Sequence, residues 1–330
     1  MMLTALALLL ASAGVIYLSC ELFVNGVEWL GRRLRVSQTA TGSILAAFGT
    51  ALPESVVTLV ATAFGTHAAQ KEIGIGAALG GPLVLSTIAY GVVGLCLLLY
   101  GRRLGRRLVQ VDGRRLSRDQ AWFLLIFAGK VALGLVAFAW KPWLGWAFLA
   151  AYAWYFRSEM TDGDDAEEGD PEPLALRRRD PSPALGWILL QTLAATAVIF
   201  AASRLFVGQL ETVGQGLGLS PQLTALLFSP IATELPETMN AVIWVRQGKE
   251  RLALANISGA MMIQACIPTA FGLFFTPWRL DAPLLAAALV TSLSILLLFL
   301  AFRSGRVSGL RLAQSGWLYG LFALAAVFLR

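Results

Sequence analysis

The sequence predicts an all-α polytopic membrane protein, with about ten transmembrane helices in two inverted five-helix repeats. Three observations carry that reading. The 330 residues are 57% hydrophobic and only 14% charged, whereas a soluble domain is nearer a quarter charged. Apolar stretches of roughly 20 residues, the length that crosses a bilayer core, recur along nearly the whole chain. The second half of the chain also repeats the first at a fixed offset.

Hydropathy and turn residues place the spans at about 2–30, 38–65, 73–100, 119–139, 142–156, 184–212, 220–245, 252–275, 281–302 and 309–329. The first span contains Tyr17-Leu18-Ser19-Cys20, which has the outline of a lipoprotein cleavage site. It lacks a basic start, so the segment is expected to be retained as a helix. The loops after spans 1, 3, 5, 7 and 9 hold 20 of the 26 Lys and Arg, counting Arg311 at the edge of the tenth span. The opposite side holds Lys71, Lys141, Arg279 and Arg330. Cytoplasmic loops retain Lys and Arg, which puts both termini outside, in a cell membrane. The net charge of +6 is therefore a topology signal, and nucleic acid is excluded as a partner. The bilayer is the expected partner, and a monomer suffices.

Residues 1–156 form the first five-helix repeat and 184–330 the second, inverted one. Between them, 157–183 is an acidic cytoplasmic linker, "EMTDGDDAEEGDPEP" followed by "RRRD". Its acids lack the Asp-x-Asp-x-Asp-Gly order of a calcium loop, so it reads as a solvated, flexible tether. Cys20, Cys96 and Cys266 lie in apolar spans far apart, with neither disulfide nor metal spacing. Trp29, Trp140, Trp143 and Trp278 fall near span ends, as interface anchors do. His67 lies in an outer loop, where solvation is expected. Lys130 is near the middle of the fourth span, free to pair with an acid or to snorkel.

The repeat is exact in register over more than thirty positions. Leu22, Phe23, Val24, Glu28, Gly31, Leu34 and Ser37 reappear 183 residues later as Leu205, Phe206, Val207, Glu211, Gly214, Leu217 and Ser220. The same offset carries Thr50, Leu52, Pro53 and Glu54 onto Thr233, Leu235, Pro236 and Glu237. Five spans per half is an odd number, so the second half enters the membrane from the opposite side. Inverted repeats of this kind build transporters, with the site at the midplane between them. Pro53 has no N–H for the carbonyl of Gly49, and Pro236 leaves that of Ala232 free. Thr50 and Glu54 share a helix face, as do Thr233 and Glu237. Each motif thus offers a carboxylate, a hydroxyl and a freed carbonyl, the all-oxygen surroundings a hard dication such as Ca²⁺ takes. Ionisable residues at membrane depth mark function.

At these residues the sequence resembles the cation/calcium exchanger superfamily, the sodium–calcium antiporters in particular. The family's Gly-Thr-Ser-x-Pro-Glu-like motif is seen as Gly49-Thr50-Ala51-Leu52-Pro53-Glu54 and as Ala232-Thr233-Glu234-Leu235-Pro236-Glu237. The resemblance implies that Glu54 and Glu237 are the central cation ligands, assisted by Thr50 and Thr233. It also implies that Glu21 and Arg204, equivalent in spans 1 and 6, sit in the mobile gating pair. The departures are specific. Ala51 and Glu234 replace the family's serine. In spans 3 and 8 the family carries polar ligands. Here the third span has Ala77, Gly81, Pro82 and Leu85 in those places, while the eighth keeps Asn256 and has Ala260, Met261 and Gln264. Most side-chain ligands for sodium are missing, yet a divalent site remains. Three carboxylates near one dication cannot easily all ionise together, so Glu234 is either a proton carrier or a solvated vestibule residue.

The implied function is secondary active antiport of a divalent cation, Ca²⁺ first, by alternating access in exchange for Na⁺. H⁺ coupling is the alternative, and a cation channel ranks behind it. No cofactor is expected beyond the transported cations. An enzyme is not expected, since zinc proteolysis or a Ser–His or Cys–His pair needs histidine in the membrane and the single histidine is His67.

Overall fold

The computed structural model describes residues 2–33, 38–100, 108–162 and 172–328, with the side chains of 31, 38–50, 108–110, 159–162, 232, 236 and 327 outside that description. These residues are almost wholly helical. The first half contains α1 (Met2–Arg33), α2 (Gln38–Phe64), α3 (Ala68–Val84), α4 (Tyr90–Tyr100), α5 (Gly113–Leu135) and α6 (Gly145–Asp162). The second contains α7 (Leu185–Leu217), α8 (Pro221–Thr233), α9 (Leu235–Arg246), α10 (Glu250–Phe275), α11 (Ala282–Phe302) and α12 (Gly309–Phe328). Among the described residues, five helical segments are long and apolar enough to cross a membrane: Met2–Leu30, Ala68–Tyr100, Leu185–Leu217, Glu250–Phe275 and Ala282–Phe302. Leucines such as Leu10, Leu193, Leu289 and Leu324 are exposed on outer faces, which suits contact with hydrocarbon.

Local chemistry sets the boundaries. Asp112 accepts from the N–H groups of Arg114 and Arg115 and starts α5. Ser220 accepts from Leu223 N, with Pro221 in the first turn of α8. Asp281 accepts from Leu284 N at the start of α11. Each is a side-chain oxygen satisfying an orphan donor of the first turn. The left-handed Gly218, φ 65°, ends α7, as a residue without Cβ can.

Two spans depart from simple helices. The third continues from α3 through a π-helical turn, Leu85–Ala89, into α4. Ser294 of α11 donates to the Ser86 carbonyl at 2.6 Å, and Ser315 of α12 donates to that of Thr87 at 2.9 Å. These hydroxyls satisfy backbone oxygens that the irregular turn exposes. The seventh is broken at Glu234, φ −99° and ψ −5°, which ends α8 and starts α9.

The halves interlock. α1 lies along α7 and α5 along α11, while α3 packs on α8 as α2 packs on α10, and α4 on α12 as α10 on α6. The α3–α8 crossing is close, because a Cβ on Gly80 would stand 2.7 Å from Pro230 Cγ and one on Gly76 would strike the Gln222 carbonyl. Small residues bring membrane helices together in this way.

Some expectations are corrected here. The linker is not a free tether along its described part. Leu174 is fully buried, and the Glu172 carbonyl accepts from Trp29 Nε1 at 2.9 Å and Asn25 Nδ2 at 3.1 Å. Its acidic stretch 163–171 lies outside the described residues. His67 is not merely solvated, since its Nε2 sits 2.8 Å from Glu211 Oε1. Trp278 is no interface anchor. It is fully buried and donates Nε1 to the Lys130 carbonyl at 2.9 Å. Leu108–Gln110 and Arg306–Ser308 pair as antiparallel strands β1 and β2, joining two loops in which the sequence suggested no strand. The three cysteines are free and buried.

Candidate functional site

Proline and crossing geometry bring the two motifs together. Pro53 lies inside α2, and α8 ends beside it at Thr233. Thr233 Oγ1 is 2.6 Å from Glu54 Oε2, and Ser229 Oγ, one turn earlier on the same face, is 3.4 Å from it. Thr233 Oγ1 is also 3.1 Å from Glu234 Oε1 and 3.2 Å from the Ser229 carbonyl. A hydroxyl has one proton, so it serves one of these acceptors at a time. Gln264 Nε2 of α10 donates to both oxygens of Glu234, at 2.9 and 2.8 Å. A buried polar chain therefore runs from Gln264 through Glu234 and Thr233 to Glu54, contributed by α10, α8 and α2. Glu54, Gln264 and Glu237 are fully buried, Glu234 is 1% exposed and Thr233 is 2% exposed.

The remaining sequence candidates divide. Glu237 lies on the first turn of α9 and is fully buried. Asn256 lies on α10 eight residues before Gln264, about 12 Å of helix rise, and its Nδ2 makes no hydrogen bond among the described residues. Gly49 and Thr50 fall within α2, and Ala232 within α8, but their side chains lie outside the described residues. Glu21 and Arg204 form no ion pair with each other among the described residues. Arg204 Nη2 instead reaches the Phe64 carbonyl at 3.4 Å.

The departures of the third span have a structural counterpart. A Cβ on Gly81 would stand 2.5 Å from Gln264 Oε1 and 3.0 Å from Glu234 Oε1. The space a ligating side chain would take on α3 is filled by Gln264 and Glu234. Among the described residues no three His, Cys, Asp or Glu side chains gather as the ligands of one metal ion do. The arrangement is a set of carboxylate, hydroxyl and amide oxygens on three helices, and Glu54 Oε1 and Gln264 Oε1 have no hydrogen-bond partner among the described residues. Such oxygens suit a hard cation that arrives and leaves.

Sequence reading missed Ser229, although its signal was present four residues before Thr233 on one helix face. It also left Lys130 undecided. Lys130 is fully buried, and its Nζ donates to the Ala78 carbonyl at 2.9 Å.

A family model described as sodium/calcium exchanger protein matches residues 4–157 and 187–329. The chain is 25% identical over 336 aligned positions to the putative antiporter CaxA of Alkalimonas amylolytica, covering 98% of this chain and 100% of that protein. It is 26% identical over 294 positions to the inner membrane protein YrbG of Escherichia coli, covering 85% and 82%. Among solved structures, that of the H⁺/Ca²⁺ exchanger CAX superposes with a TM-score of 0.77 at 19% identity, covering 98% of this chain and 82% of that one. A structure of the sodium–calcium exchanger NCX_Mj soaked with Na⁺ and Sr²⁺ gives 0.61 at 20% identity, with both chains fully covered.

Proposed function

The chain belongs to the sodium/calcium exchanger protein family, and from that premise we propose that it is an antiporter moving a divalent cation, Ca²⁺, by alternating access in exchange for Na⁺. The observation that carries the proposal is the 2.6 Å contact between Thr233 Oγ1 and Glu54 Oε2. It joins a carboxylate behind one proline to the hydroxyl of the repeat-equivalent motif in the other half, in a fully buried setting. Glu54, Glu237, Thr50, Thr233, Glu234 and Gln264 supply side-chain oxygens in this reading, with the freed carbonyls of Gly49 and Ala232 beside them. Asn256, eight residues before Gln264 on α10, is the remaining candidate ligand in this reading.

The ten-span, inverted-repeat architecture is part of the same proposal. Its support is the single offset of 183 in the sequence and the matched helix pairings, α3 on α8 with α2 on α10. Alternating access then rocks one half against the other around the shared site. Both termini lie outside the cell membrane in this arrangement. Cysteines replacing Arg178 and His67 should therefore label from opposite sides with an impermeant thiol reagent.

One observation favours a second counter-ion, H⁺. Sodium needs a tight cage of oxygens, and Ala51, Gly81 and Pro82 offer no side-chain oxygen, while Gln264 and Glu234 fill the space at Gly81. Radioactive calcium uptake into proteoliposomes separates the readings. Uptake driven by an outward Na⁺ gradient at equal pH supports sodium exchange, uptake driven only by a pH gradient supports proton exchange, and net uptake into calcium-free vesicles with neither gradient imposed contradicts antiport.

A further inference from the structure

Between α11 and α12, the two arms of a hairpin, lies a groove of about 480 Å³. It is graded from end to end. Arg311 and Gln314, on the first turns of α12, form its polar end, while Leu297 and Leu300 of α11 and Leu318 of α12 line its apolar length. Arg311 and Leu318 share a face of α12, about 10 Å apart along the helix. Leu297 and Leu300 are 51% and 55% exposed, so the groove opens outward, where hydrocarbon lies. Its floor is polar and already satisfied. Ser294 and Ser315 line it, and their hydroxyls donate to the Ser86 and Thr87 carbonyls of the π-helical turn in the third span.

Charge decides what the groove takes. Arg311 is exposed, and from Ala282 to Arg330 the sequence has no Asp or Glu to pair with it. Asp112, an acid brought to this end by the β1–β2 pairing, lines a separate crevice with Arg114 and Arg303. Arg303 itself lies over the Phe299 ring at 5.6 Å. A guanidinium presents a planar fork to phosphate oxygens, and basic pockets between membrane helices take lipid head groups. We propose that the groove between α11 and α12 is a binding site for one anionic phospholipid. Arg311 and Gln314 hold its head-group phosphate, and an acyl chain lies along Leu300, Leu297 and Leu318. A second copy of the chain fits poorly here. A two-fold axis along the membrane normal sets Arg311 of both copies at one depth, with no acid on these helices to separate them. The lipid covers the two serine bonds that hold the π turn, and so steadies the third span, whose Gly81 packs against Gln264 and Glu234. The site stands whether or not the chain exchanges calcium.

The test is native mass spectrometry of the full chain in detergent. It is titrated with phosphatidylglycerol, or with phosphatidylcholine of identical acyl chains, whose choline cancels the phosphate charge. Wild type should bind one phosphatidylglycerol about tenfold more tightly than phosphatidylcholine, the difference a charge-assisted contact makes. Arg311→Gln should bring the two lipids to the same affinity. Arg311 is exposed, so this change leaves the helix packing intact. Arg303→Gln, outside the groove, should keep the preference, and Leu297→Trp, which fills the groove, should weaken both lipids. Phosphatidylglycerol should also raise the thermal unfolding temperature of wild type but not of Arg311→Gln. Equal affinities for the two lipids in wild type, or a preference that survives Arg311→Gln, overturns the proposal. So does a preference lost equally in Arg303→Gln, which would mean diffuse surface charge. A dimer that Leu297→Trp splits also overturns it, because a second copy would then cover the groove.

Discussion

The two repeat-equivalent proline motifs share a sequence but not a shape. Helix α2 runs unbroken through Pro53, while the matching segment splits at Glu234 into α8 and α9. One detail is the same in both. Ser55 Oγ donates to the Ala51 carbonyl at 3.1 Å, and its equivalent, Thr238 Oγ1, donates to that of Glu234 at 3.0 Å. The difference lies upstream. α8 has a second proline, Pro230, where α2 has Ala47. Two missing N–H groups within six residues strip the Leu226 and Ala232 carbonyls of helical partners, and the Glu234 side chain is drawn off to Gln264. One proline in a membrane helix is accommodated, whereas two around a buried acid break it. The comparison teaches that repeat-equivalent motifs can sit in different backbones, the first inside a continuous helix and the second at a helix break.

The largest expected effect is common to both motifs. Glu54→Gln or Glu237→Gln keeps the side-chain shape and removes a ligand charge, so exchange should vanish while membrane insertion and thermal unfolding stay as in wild type. Equal transport by the double variant would break the comparison at its root. Thr233→Val comes next. It removes the 2.6 Å bond to Glu54, and charge-assisted bonds are worth ~1.5–3 kcal/mol, so half-saturation by calcium should rise about tenfold. Ser229→Ala, losing a 3.4 Å contact, should shift it less. Pro230→Ala is smaller and more specific. Restoring an N–H for the Leu226 carbonyl should mend part of the break and slow maximal exchange a few-fold, with half-saturation unchanged. An unaltered rate would show that the break is not a moving part.

The helical, membrane-spanning character was legible because apolar length is a local property, and five long apolar helices among the described residues carry it. The pairing of the motifs was legible because an internal repeat carries spatial information that one strip of sequence does not. Glu54 and Thr233 were found that way. What sequence could not show depends on who fills space. Gly81 marked a missing ligand, but not that Gln264 and Glu234 occupy the gap. Lys130 had no visible partner, because its acceptor is a backbone carbonyl on another helix. The break at Glu234 needed Pro230 and Pro236 to be weighed together, and equating the two motifs hid it. Trp278 at a span end looked like an anchor, whereas its left-handed backbone, φ 46°, turns it inward against Gly272.

The central claim is that a carboxylate from one half and a hydroxyl from the other form one dication site with alternating access. Calcium–calcium exchange in proteoliposomes, with no imposed Na⁺ or pH gradient, tests it most directly. The account predicts saturable exchange by wild-type protein and none by Glu54→Gln at matched incorporation. Exchange by Glu54→Gln at the wild-type rate, or no exchange by wild type, would contradict it.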